Sequence, residues 1–169
     1  MSLTVINGLP AHVLFVHFVI VFVPLLALAL VVCAAWPRSA RKLGVLLPVL
    51  GFVTLASVPL ATHAGEWLES HTGTDPLIQK HAELGDGMLP WAVGLFLLSA
   101  LVCWATRRAA ATEGGQTRTW VTSSLVRYAV LGACLVVSVG AVIDVYRIGD
   151  SGAKAAWHDN YSQSAVQHG

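Results

Sequence analysis

The residues with chemistry to offer are histidines, and the chain of 169 residues carries seven: His12, His17, His63, His71, His81, His158 and His168. Imidazole donates and accepts hydrogen bonds, titrates near neutrality and ligates transition metals. Two of the seven open a strongly apolar run, "PAHVLFVHFVIVFVP". His17 falls about five residues inside it, where an ionisable side chain is by default a functional group in search of a partner. Five residues of regular helix set His12 and His17 about 140° apart. They therefore cannot grip one ion together, and any partner must come from another helix.

Candidate partners stand at the ends of later apolar runs. His63 lies in "PLATHAGEW" and His81 in "TDPLIQKHAELGDGMLPW". In the latter, Asp75 is an expected N-cap with Pro76 at the first helical position. A helix begun there and continued into the next apolar run carries His81, Gly85 and Met88 along one stripe, at steps of four and three. Asp144 is expected at about the depth of His17. The expected cofactor-binding set is His12, His17, His63 and His81, with His17, His63 and His81 as the metal-binding subset. Asp144 would orient an imidazole through its second nitrogen, with Met88 nearby. Two histidines on different helices suit the axial positions of a b-type haem, whereas three or four groups suit copper or zinc. A protein with no cofactor stays open as well. His71, His158 and His168 read as solvated.

The elements that must position these groups are membrane spans. The chain is 56% hydrophobic and 11% charged, against about 25% charge in a soluble domain. Uncharged runs long enough to span occur at 13–36, 43–62 and 88–106, and a fourth, uncharged over 128–143, becomes a span of about 125–146 if Arg127 and Asp144 sit at the interfaces. The expectation is an all-α fold, one integral-membrane domain over 1–169 built as a four-helix transmembrane bundle. The first run has no basic residue before it and is too long for a signal-peptide core, so it is expected to remain as a span. Arg38, Arg41 and Lys42 fall between the first two runs, and Arg107, Arg108, Arg118 and Arg127 between or beside the last two. The other side holds only Lys80, Arg147 and Lys154. By the positive-inside rule both termini are expected outside, in a multi-pass plasma-membrane protein. Trp36, Trp104 and Trp120 then mark the inner interface, and Trp67, Trp91 and Trp157 the outer. Every histidine lies on the outer side, which gives no support to a haem relay across both leaflets. Cys33, Cys103 and Cys134 lie within spans without a C-x-x-C and read as small apolar packing residues.

The segment "GLPAHVLFVHFVIVFVPLL" resembles the opening of a bacterial membrane family known as domain of unknown function 2231. The likeness continues through the helix-end histidine and "HAELG" and ends at "YRIGDSGAKAAW". The family's paired opening histidines correspond to His12 and His17, and its histidine before the third span to His81. The family's first histidine is absent, its place falling near Leu9. The histidine of its terminal G-H-S-G-A segment is Asp150 here, so a ligand role there is lost or altered. Some related forms are joined to Rieske-type iron–sulfur domains, which implies redox chemistry in those relatives.

Three function classes follow. The first is a haem- or metal-binding electron-transfer protein, such as a respiratory subunit, serving an external redox protein or partner membrane subunits. The second is a cofactor-free structural or assembly subunit, packing through small-residue faces such as Gly132, Ala133 and Gly140. The third is an ion-handling protein with helices kinked at Pro24, Pro48 and Pro59, disfavoured because no charge sits at mid-membrane and no inverted repeat is evident. Hydrolase and nucleotide fingerprints are absent, and no basic patch suits nucleic acid.

Overall fold

The computed structural model describes residues 5–6, 9–72, 75–112 and 124–158. A two-residue antiparallel pairing of β1 (Val5–Ile6) with β2 (Leu9–Pro10) leads into the first helix. Every other described element is helical: α1 (Ala11–Ala35), α2 (Pro37–Leu43), α3 (Leu46–Thr72), α4 (Pro76–Asp86), α5 (Met88–Thr112) and α6 (Ser124–Trp157). Four helices are long and apolar enough to cross a membrane, with α4 and α5 together forming the third. Arg118, Trp120 and His168 lie outside the described residues.

Local chemistry sets the breaks. Trp36 is extended and Pro37 opens α2, whose Arg38, Arg41 and Lys42 form the first basic turn. Gly44, at φ 52°, ends α2 with its N–H on the Ala40 carbonyl, a conformation costly for any residue with a Cβ. Asp75 caps α4 as its spacing predicts, accepting 2.8 Å from the Leu77 N–H with Pro76 at the first position. The helix from Pro76 is interrupted at Gly87 before α5 begins.

Helices outrun the apolar spans. The second uncharged run stops at Thr62, but α3 continues to Thr72, because "HAGEWLESH" contains no proline and its one glycine is tolerated within a helix, and because hydropathy records membrane depth rather than helix ends. His63 consequently lies inside a helix, not at its end. The fourth helix reaches Trp157. At 1.5 Å per residue its 34 residues run about 50 Å, well beyond a hydrocarbon core of about 30 Å.

The core is a seam of small and branched side chains at helical spacing: Leu26 and Leu30 of α1, Ala92 and Leu95 of α5, Cys134 and Ala141 of α6. Small residues admit large neighbours. Gly51 packs on Phe96, Gly94 on Val137, and a Cβ at Gly140 would collide with the Trp91 ring. Trp91 thus turns into the bundle instead of joining an interfacial belt, and Gly140 is already covered from within. Buried hydroxyls are satisfied locally, Thr54 on Leu50 O and Ser99 on Leu95 O, while Ser138 ties α6 to α1 through Ala27 O at 3.3 Å. All three cysteines are buried. Outward positions such as Val21, Leu28 and Val136 are exposed and apolar, the surface that a bilayer covers.

Helix α1 packs between α3 and α6, and α4 lies against α6. The start of α1, the end of α3, all of α4 and the end of α6 therefore gather at one end of the bundle, hereafter the histidine end. The basic turn of α2 marks the opposite end.

Candidate functional site

His12 is half-buried in the first turn of α1 and reaches across to α3, where its Nδ1 lies 2.9 Å from the carbonyl oxygen of Ala61. A carbonyl only accepts, so Nδ1 carries a proton, and in the neutral ring Nε2 keeps its lone pair. The ring fits because α3 has Gly65 beside it. A Cβ on Gly65 would stand 3.0 Å from both Cε1 and Nδ1 of His12.

His81 repeats the arrangement on the other side. From the middle of α4 its Nδ1 lies 3.1 Å from Ile148 O and 3.0 Å from Ser151 Oγ, both on α6. Ser151 gives its own proton to Ile148 O at 2.8 Å, so Nδ1–H is the donor to both oxygens and Nε2 is again left as an acceptor. Here Gly152 clears the space: a Cβ there would lie 2.9 Å from Cε1 of His81. The two rings meet with centroids 6.1 Å apart and planes at 84°. Four helices thus contribute to one pair of imidazoles, two with the rings and two with the carbonyls and glycines that fix them.

The remaining expected residues are placed differently. His17 is exposed and donates from Nδ1 to Val13 O, one turn back on its own helix. The five-residue offset thus sends His12 across to α3 while His17 bonds within α1. His63 is exposed on α3, its Nδ1 3.7 Å from a Glu66 carboxylate oxygen. Met88 is buried in the core cluster. Asp144 lies on the same stripe of α6 as Ile148 and Ser151, but one of its carboxylate oxygens, Oδ2, is buried with no hydrogen-bond partner among the described residues. His71 stacks on Trp67 at 4.2 Å. Sequence reasoning did not single out Gly65, Gly152 or Ser151. Their only signal was position: Gly65 two residues after His63, and the "SGA" of the chain's closing motif.

His12 and His81 border a groove of about 570 Å³ between α1, α3, α4 and α6. Its walls are mainly apolar, including Val16, Ile20, Val58 and Ile78, and Glu66, Glu69 and Asp86 are its acidic members. That volume falls in the range of about 300–1,000 Å³ typical of small-molecule and cofactor sites. Among the described residues no group of three or more His, Cys, Asp or Glu is placed to hold a metal ion. The site therefore offers the imidazoles of His12 and His81 and a mainly apolar cavity whose lining also includes His17.

A family model described as "Predicted membrane protein (DUF2231)" matches residues 8–165. The chain belongs to that family. No curated protein and no solved structure matches it. Membership in a membrane family agrees with the four spanning helices, and the matched region contains both imidazoles, their carbonyl partners and the glycines beneath them.

Proposed function

We propose that this family member is an integral-membrane electron-transfer protein that binds a b-type haem between His12 and His81, near the outer leaflet. The observation that carries the reading is the imidazole pair itself: each Nδ1 is committed to a backbone carbonyl and each Nε2 is left with a lone pair beside an apolar groove. An imidazole whose second nitrogen is hydrogen-bonded has a fixed tautomer and orientation, as metal-ligating histidines almost always do. Metal–nitrogen bonds run about 2 Å, so a metal held by both rings would need both Nε2 atoms turned to the space between them; the rings stand 6.1 Å apart with their planes at 84°. Bound there, haem would supply one-electron transfer. The chain's part would be to hold it through Nε2 of His12 and His81, to exclude water with Val16, Ile20 and Val58, and to meet an external redox protein or partner subunit. Two ligands suit haem better than copper or zinc, which would need further donors. The excess of arginine and lysine at the opposite end supports a plasma-membrane orientation with both termini outside.

The test is an oxidised and a reduced optical spectrum of the purified protein, with metal analysis on the same sample. A Soret band lost in His12→Ala and in His81→Ala, but kept in His17→Ala and His63→Ala, is the expected result. Absence of both a Soret band and stoichiometric metal in the wild type defeats the proposal. A second reading, a cofactor-free structural subunit, draws on the same bonds: His12 ties α1 to α3, and His81 ties α4 to α6. Under that reading the two alanine variants lose stability and no spectrum exists to lose.

A further inference from the structure

A second cleft, of about 210 Å³, opens between α4 and α6 at the histidine end. Lys80, Arg147 and Lys154 all line it. These are the only lysines and arginines at that end among the described residues. Most of the chain's other basic residues, those of α2 and those flanking the α5–α6 connection, lie at the opposite end. Three cations so far apart in sequence converge because of helix register. Arg147 and Lys154 are seven residues apart, two turns along one face of α6, and Lys80 sits between Leu77 and Leu84 on the face of α4 packed beside it.

The cleft's charge is not balanced internally. Asp150 is its one carboxylate and is taken by Lys154, Nζ to Oδ2 at 2.6 Å. Among the described residues neither Lys80 nor Arg147 is paired with a carboxylate. Three cations against one anion leave two positive charges facing a common space. The depth is interfacial: the uncharged run of α6 ends at Ile143, Arg147 follows one turn later, and Tyr146 projects beside it, 74% exposed. Leu77 and Leu84 supply apolar walls. Cations at headgroup level, a planar guanidinium suited to paired oxygens and an aliphatic wall beneath describe a phosphate site with room for a chain.

We infer that Lys80, Arg147 and Lys154 form a binding site for a phosphate group, of the kind that an anionic phospholipid presents at the membrane surface. The cleft shares no lining residue with the imidazole groove, although its Ser151 bonds His81, and lipid or phosphate binding is read without reference to any cofactor. The test uses the full-length protein in nanodiscs of phosphatidylcholine, with or without phosphatidylglycerol, and native mass spectrometry of the lipid retained on release. Phosphatidylglycerol is expected to be enriched over phosphatidylcholine. The enrichment should fall about fivefold for each charge removed in Lys80→Gln and Arg147→Gln, and survive in Lys80→Arg and in Arg38→Gln at the opposite end. A parallel arm titrates inorganic phosphate against the detergent-solubilised protein by thermal shift. Saturable stabilisation by phosphate, lost in the same variants and without lipid enrichment, assigns the site to a diffusible phosphate compound. No lipid preference and no phosphate response in the wild type, or responses unchanged in a correctly folded Lys80→Gln/Arg147→Gln double variant, overturns the inference.

Discussion

The rings of His12 and His81 stand 6.1 Å apart, edge to face, although one opens the first spanning helix and the other lies in the short helix before the third. Neither is held by its own helix. His12 is anchored on α3 and His81 on α6, so the separation of the rings reports how all four helices are packed at that end. The site is thus a property of the assembled bundle, and changes in helix packing should register in it.

Gly65 and Gly152 provide the direct probe of that coupling. A Cβ at either position would approach an imidazole at about the limit of tolerated contact, 3.0 Å for Gly65 and 2.9 Å for Gly152. Gly65→Ala and Gly152→Ala should each cost about 1–3 kcal/mol through overpacking, read as a lowered melting temperature of the detergent-solubilised protein. Each should also disturb its own histidine: the chemical shifts of His12 should move in the first variant and those of His81 in the second. Wild-type stability with unmoved imidazole resonances would show that the rings are not packed on these glycines.

How much of this was legible in the sequence differs by level. The spans were legible because a bilayer demands long uncharged runs, and Asp75–Pro76 announced the start of α4 by its own local chemistry. The ends of α3 and α6 were not legible, since apolarity stops at the membrane surface and helical hydrogen bonding does not. Among the histidines, the five-residue spacing showed that His12 and His17 must face differently, yet nothing local said which one faces inward. Depth pointed to His17. What determined the outcome was a glycine and a carbonyl on a helix many residues away, opposite His12.

The seam between α5 and α6 makes a paired prediction. A Cβ on Gly140 would run into the Trp91 ring, whereas one on Gly132 would meet nothing within 4 Å. Gly140→Ala should therefore destabilise by about 1–3 kcal/mol as Trp91 is pushed from its place. Gly132→Ala should be neutral, or stabilising by up to about 1 kcal/mol because alanine favours helix over glycine. Thermal unfolding of both variants in the same detergent separates them. If Gly132→Ala is instead disruptive only when the protein is prepared from native membranes, that face of α6 is covered by a partner helix.

Asp144 supplies the last prediction, since it separates a structural from a functional reason for an unpaired carboxylate. Its Oδ2 is buried without a hydrogen-bond partner among the described residues, and a Cβ built on Gly87, where α4 gives way to α5, would stand 3.7 Å from it. Leaving a buried acceptor unmatched costs about 1–3 kcal/mol, and more when it is charged. Replacing it with an apolar residue of similar size should accordingly stabilise the fold, and Asp144→Leu should raise the melting temperature. The functional outcome is independent. His81 is already held by Ile148 O and Ser151 Oγ, so Asp144 is not needed to orient it. Asp144→Asn should then leave a haem spectrum unchanged. A more stable Asp144→Leu protein with an unaltered spectrum would make the carboxylate dispensable to the imidazole pair. A shifted midpoint potential in Asp144→Asn, with the spectrum's ligation signature intact, would show instead that its charge acts on the cofactor through the low-dielectric interior of the bundle.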